Sequence, residues 1–328
     1  MRYRNILTLL MCLVFVFTPM SGYAKESGMT KGTTLLPEHY YTECPEQGTH
    51  QQFYDEAGDQ MVNVYFPYGY NDSKYSKYDL YMMLHQAGKG NLSSWIETPC
   101  QSYGGELPPK QVYDWLIYEK KIPQILVMCI NLELNVNNRE DIRNAMHWAG
   151  DNLRTYAKNG TDEELAKARK HFFVGGLSMG AWKSDKCMRE DYDIFANYII
   201  GYGGDINYAA SEIGKQYMKE HDGEYFIENL IILCGSEDVS FDDTKANYRA
   251  MAPVSHYSKY FRYGGGHGWA AAIPTMYDSL LFIYADYNDN VAACINKVAN
   301  KIKFGMIQTF YTDNHTINEN IISFGGSL

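Results

Sequence analysis

Phe172-Phe173-Val174-Gly175-Gly176-Leu177-Ser178-Met179-Gly180 reads as a short apolar strand running into a glycine-rich turn. Its last five residues are Gly-x-Ser-x-Gly. A serine at the tip of a sharp strand-to-helix turn sits in a strained backbone conformation. Its neighbours must then be tiny, or they strike the adjoining strand and helix. The helix that follows aims free amides at an oxygen near the serine. The stretch therefore predicts strand, nucleophilic turn and helix, in that order.

The same alternation extends outward in both directions. Val62 to Phe66 alternates like a half-buried strand and stops at Pro67-Tyr68-Gly69. Leu80 to Leu84, Ile125 to Ile130, Tyr198 to Ile200, Leu230 to Leu233 and Lys259 to Tyr263 are further strand candidates. Between them, Gln111 to Tyr118 and Asp141 to Ala157 have helical spacing, and another helix covers about 269–286. Thr161-Asp162-Glu163-Glu164 is a capping box. Strands joined by helical crossovers predict an α/β fold, with a mostly parallel central sheet and helices on both faces. Reactive groups in such sheets gather in loops at the carboxyl ends of the strands.

A nucleophilic serine needs a base, and the chain order in this kind of sheet is serine, acid, histidine. His267 lies in Tyr263-Gly264-Gly265-Gly266-His267-Gly268-Trp269, where glycines leave an imidazole room to reach across. His221, His256 and His315 read as surface residues. Past Leu230 to Leu233, Cys234-Gly235-Ser236-Glu237-Asp238 offers two carboxylates. Asp238 is deeper in the loop and has the shorter side chain, which suits fixing an imidazole tautomer. Asp242 and Asp243 suit the start of the next helix. For the oxyanion hole, one donor is expected at the backbone N–H of Met179. The second is expected in the loop His85-Gln86-Ala87-Gly88, at Ala87 or Gln86, with His85 steadying the loop.

Composition narrows the setting. The chain has 328 residues and a net charge of −10, so it has no general attraction to phosphate backbones, and nucleic acid is not an expected partner. Its 29 tyrosines suit wet, amphipathic ligands such as sugars and phenolics. Arg2 and Arg4, the apolar run Ile6 to Phe17, and Gly22-x-Ala24 read as an export signal over residues 1–24. The expected location is secreted or periplasmic, with no membrane association once that signal is removed. Residues 25–60 are expected to form an N-terminal extension, 61–287 the catalytic domain, and 288–328 a tail or appendage. No cysteine spacing argues for a metal or a fixed disulfide; Cys129 and Cys234 sit in apolar runs and read as core.

Several stretches together resemble the esterase-D-like α/β-hydrolases, and within them carbohydrate esterase family 1, the feruloyl and acetylxylan esterases. They are Cys44-Pro45-Glu46-Gln47-Gly48-Thr49, Val64-Tyr65-Phe66-Pro67-Tyr68-Gly69-Tyr70, Met83-Leu84-His85, the run from Thr161 to Gly180, Gly235-Ser236-Glu237-Asp238, and the glycine-flanked His267. The resemblance covers roughly residues 40–286 and implies a triad of Ser178, Asp238 and His267, with no metal or organic cofactor. It implies feruloyl or other hydroxycinnamoyl esters on xylan as substrate, held by aromatic residues for which Trp269, Tyr208 and Trp95 are candidates. An acetylxylan esterase, a siderophore esterase and a non-catalytic carbohydrate-binding relative are the alternatives. Two positions depart from the family: Gln86 and Ala87 stand where it has glycines, and Gly203-Gly204-Asp205-Ile206-Asn207 reaches no aromatic before Tyr208.

Overall fold

A computed structural model describes residues 27–33, 35–71, 77–86, 96, 107–132, 138–267 and 272–287. The leader over 1–24 and the tail over 288–328 lie outside the described residues. The chain divides into a unit spanning Tyr23–Ala285 and a second, Met1–Gly22 with Asp286–Leu328, of which only Asp286 and Tyr287 are described. Every element below belongs to the first.

Nine strands form one sheet: β1 (Gly28–Lys31), β2 (Thr49–Asp55), β3 (Gln60–Phe66), β4 (Asp79–Leu84), β5 (Ile125–Ile130), β6 (Phe172–Leu177), β7 (Asn197–Gly201), β8 (Ile227–Gly235) and β9 (Ser255–Tyr263). Their order is β1-β9-β8-β7-β6-β4-β5-β3-β2. The helices are α1 (Pro109–Tyr118), α2 (Arg139–Asn152), α3 (Asp162–Ala168), α4 (Met179–Glu190), α5 (Tyr208–Glu220), α6 (Phe241–Met251) and α7 (Ala272–Ile283). Only β3, through its pairings with β2 and β5, runs antiparallel to its neighbours. From β5 to β1 all pairs are parallel. The mostly parallel α/β sheet expected from the sequence is what forms.

The central strands are continuous apolar runs because both faces are covered: every residue of β5, β6 and β7 is buried. Winding runs from β4 toward β5, then reverses through β6, β7, β8 and β9. Right-handed crossovers therefore place α1 on one face and α4, α5 and α6 on the other. In keeping with this, α1 packs on α7, and α4, α5 and α6 pack in succession. The reversal lies beside the carboxyl end of β6, where the glycine-rich turn begins.

Local expectations fare unevenly. Thr161 Oγ1 accepts the Glu164 N–H at 3.4 Å, so half of the capping box forms. The Glu164 carboxylate instead takes Lys167. The helix expected to reach Ala157 stops at Asn152, because Leu153 turns extended (φ −113°, ψ 156°). A bridge between Tyr78 and Thr155 claims that stretch, and the Tyr78 N–H donates to the Arg154 carbonyl at 2.8 Å. Part of the segment read as an extension, Gly28–Lys31, lies on β9 as an edge strand. No helix among the described residues is long and apolar enough to cross a membrane.

Candidate active site

Ser178 stands alone between the last residue of β6 and the first of α4, at φ 54° and ψ −115°. A non-glycine residue in this region is strained by about 1–3 kcal/mol and persists only where its surroundings impose it. The Ser178 N–H donates to the Gly201 carbonyl at 2.8 Å, and its carbonyl accepts the Trp182 N–H at 3.1 Å, opening the helix. The flanking glycines are fixed by contact with β4. A Cβ on Gly176 would lie 2.1 Å from the Leu84 carbonyl oxygen, and one on Gly180 would lie 2.0 Å from it. Only glycine fits, and the turn is thereby pressed against the end of β4. Met179 occupies the first turn of α4, where N–H groups have no intrahelical partner.

Of the two carboxylates after β8, the structure separates one from the other. Glu237 is exposed, whereas the Asp238 side chain is wholly buried. Asp238 Oδ1 accepts the Ser240 N–H at 2.7 Å and its hydroxyl at 2.6 Å. Oδ2 accepts from His267 Nδ1 at 2.7 Å. Because a carboxylate partner only accepts, Nδ1 carries a proton, so in the neutral imidazole the lone pair lies on Nε2. The imidazole is 42% exposed.

Backbone clasps hold the acid loop to the histidine loop. Ser236 N–H donates to the Tyr263 carbonyl and Glu237 N–H to the Gly265 carbonyl, each at 2.9 Å. Gly235 is required there, since a Cβ would lie 2.4 Å from the Gly265 oxygen. Tyr202 follows directly on Gly201 at φ 56°, and the His267 ring stands edge-on to its ring at 5.8 Å. Thus the residue after the acceptor of Ser178 N–H is the one that touches His267.

The remaining expected residues fall in different places. Gln86 is half-buried, and its carbonyl accepts the Nδ1–H of His85 at 2.7 Å, while His85 Nε2 accepts the Leu132 N–H at 2.9 Å. Both ring nitrogens of His85 are thereby engaged in neutral form, and the ring braces the loop. Tyr208 opens α5 and is 65% exposed. Ala87, Trp95 and Trp269 lie outside the described residues. Asn207 points inward and is fully buried. It donates to the Asp185 carbonyl at 3.0 Å and accepts from Arg189 at 3.2 Å. Asp185 in turn accepts from Asn247 at 2.8 Å, and burial pushes its carboxyl up to about 6.

Sequence reasoning missed Trp182. It lies one helical turn past Ser178 and is 53% exposed. A Cβ on Gly203 would come within 2.8 Å of its indole nitrogen and 3.0 Å of the Ser178 carbonyl oxygen. The i+4 spacing from the serine was the available signal; the passage of Gly203 alongside was not. Ser240, which holds Asp238, likewise carried no motif.

No known family profile matches the chain. It is 23% identical over 296 residues to endo-1,4-beta-xylanase Y of Acetivibrio thermocellus, covering 81% of this chain and 26% of that protein. The chain thus spans about a quarter of the length of the curated relative it matches. Among solved structures, it is similar to a serine-to-alanine mutant of the feruloyl esterase module from Clostridium thermocellum complexed with sinapinate. The TM-score is 0.64 at 20% identity, over 78% of this chain and 94% of that one. A carbohydrate esterase family 1 ferulic acid esterase from Anaeromyces mucronatus, in complex with ferulic acid, has a TM-score of 0.50 at 15% identity, over 77% and 97%. By sheet order and by these likenesses, the chain has the α/β-hydrolase fold, shared with feruloyl esterases of carbohydrate esterase family 1.

Proposed function

We propose that this chain is a serine esterase that removes hydroxycinnamoyl groups from plant cell-wall polysaccharide. The observation that carries the reading is the strained Ser178 turn together with the buried Asp238–His267 pair, presented by loops at the carboxyl ends of β6, β8 and β9. His267 takes the Ser178 hydroxyl proton as the oxygen attacks the ester carbonyl. Amides of Met179 and of the loop at Gln86 and Ala87 hold the oxyanion. The intermediate collapses to an acyl-serine, and the alcohol leaves with the proton from His267. Water, deprotonated by His267, then releases the acid and restores the serine. Asp238 keeps the imidazole in its productive tautomer throughout. No metal or organic cofactor enters these steps.

The acyl group is the finer part of the proposal. Sinapinate and ferulic acid, bound in two similar structures, support an aromatic acyl group here. Exposed Trp182 and Tyr208 are the described aromatic residues proposed to wall it, and Trp95 and Trp269 remain sequence candidates for the same role. Acetyl on xylan is the second reading, favoured by the inward turn of Asn207, which leaves that position without an aromatic wall. Export through the leader over residues 1–24 belongs to the same proposal. Rates on methyl ferulate, methyl p-coumarate, acetylated xylan and a ferric-siderophore triester test it. The cinnamates should be turned over fastest, and Ser178→Ala should lower kcat by about 10³-fold or more. Turnover of acetylated xylan with none of the cinnamates overturns the acyl assignment. Preference for the siderophore removes carbohydrate, and no fluorophosphonate labelling at Ser178 removes the esterase.

A further inference from the structure

At the other end of the sheet, a groove of about 520 Å³ opens between edge strand β2, the turn after β3 and the last turn of α2. Its placement follows from topology. β3 runs antiparallel to β5, with Tyr65 beside Val127, so the end of β3 lies at the amino end of the parallel strands. Ser178, Asp238 and His267 all follow carboxyl ends. Four strand spacings separate β2 from β6, about 19 Å across the sheet alone. The groove is therefore no part of the acyl site.

Its chemistry is selective. The strand period of two sets Thr49, Gln51 and Phe53 along the face that borders the groove. His50 and Gln52, on the alternate positions, are occupied with Asn63. Phe53 stands 5.2 Å from Trp148 and 6.1 Å from Phe66, and Phe66 stands 4.8 Å from Tyr70, so aromatic rings run in a chain along the wall. Tyr68 adds a ring that is 52% exposed. Gln47, Gln51, Asn71 and Asn152 contribute neutral amides. In a chain that is 21% charged, none of the described residues lining this groove carries a charge.

We propose that this groove binds a neutral glycan chain apart from the site of ester cleavage, and its identity as the backbone of a β-1,4-linked xylan rests on the esterase reading. Pyranose faces present C–H groups to aromatic rings, and their equatorial hydroxyls both donate and accept, as an amide side chain does. The described residues lining the groove offer a uronate-rich or phosphorylated polymer no cation to repay desolvation of its charge, and Arg154 beside it is held on the carbonyl and ring of Tyr70. Gln47 and Thr49 belong to the stretch after Cys44 that has no part in the ester chemistry. Gly48 between them is fixed, since a Cβ would lie 2.4 Å from the Phe66 carbonyl oxygen. The close approach ties that stretch to the end of β3, where the groove lies.

The test uses the full chain carrying Ser178→Ala, so that binding is read without hydrolysis, and titrates xylohexaose by calorimetry. Binding should be measurable, about tenfold weaker with Tyr68→Ala and about threefold weaker with Gln51→Ala. Polygalacturonate should not compete. In the chain with Ser178 intact, both variants should leave kcat/KM on methyl ferulate unchanged. No binding of xylohexaose, binding indifferent to both substitutions, or equal binding of polygalacturonate overturns the proposal. Failure of all ester turnover in the intact chain would instead sink the esterase reading and leave the binding result standing.

Discussion

Ser240 shows how much of the chemistry rests on a residue that does none. Its N–H and hydroxyl occupy one oxygen of Asp238, leaving the other to His267. Ser240→Ala keeps the amide bond and loses the hydroxyl, so kcat/KM should fall by about three- to tenfold. Asp238→Asn should cost far more, because an amide presents a donor to His267 Nδ1 and favours the wrong tautomer. Glu237→Gln should be near neutral, since Glu237 is exposed. Steady-state kinetics on one soluble ester separate the three, and a severe Glu237→Gln with a mild Asp238→Asn would reverse the acid assignment. The two carboxylates are adjacent in sequence, and nothing in their composition ranks them. Loop depth and side-chain length favoured Asp238, but burial of one and exposure of the other appear only when the acid loop is clasped to Gly265.

Elements built from continuous apolar runs were the legible ones. Ile125–Ile130 and Phe172–Val174 are strands in sequence and in structure, because burial on both faces leaves a signature that local context cannot erase. Gly28–Lys31 has no such signature; four residues with one large apolar side chain become a strand because β9 offers an edge. The end of α2 was misread for a similar reason, with Leu153 on the helical stripe but drawn away by the Tyr78–Thr155 bridge. At the serine turn, Gly180→Ala should destabilise by about 1–3 kcal/mol, roughly 2–12 °C in Tm. Thermal denaturation of that variant checks it, and an unchanged Tm would mean that the Leu84 carbonyl yields freely.

The helices α4 and α6 meet in a second testable feature, the buried Asp185 among Asn207, Asn247 and the Asp205 amide. Its carboxyl rises from the usual 3.8 to about 6, chiefly through burial. The folded chain thus holds a proton that the unfolded chain has released between about pH 4 and 6. Stability from this group is complete below pH 4 and declines as pH rises toward 6, by about 2–3 kcal/mol. Asp185→Asn removes that slope, so the variant's Tm relative to the parent should rise across the interval and level off above it. A Tm difference that stays flat from pH 4 to 7 would contradict the assignment.

At the scale of the whole unit, the edge beyond β9 is closed by the first described residues of the chain. Thr33 donates its N–H and hydroxyl to Asp278 of α7, which also accepts the Tyr263 hydroxyl at 2.8 Å. Burial pushes the Asp278 carboxyl up, and the Thr33 and Tyr263 donors offset it. A chain beginning at Leu35 loses β1 and two of those donors together. It should melt at least 5 °C lower, on the order of 2 kcal/mol, and should associate through the bared edge of β9. Calorimetry and light scattering read both effects, and a monomer with the parental Tm would show β1 to be ornamental. That closure also orders events in time. The Ser258 N–H donates to the Ser27 hydroxyl across 231 residues of sequence. A chain emerging from the ribosome has its first strand ready long before the edge that receives it is synthesised. Docking of β1 is a late, high-contact-order step, and a nascent chain stalled short of Tyr263 must wait with that segment unpaired.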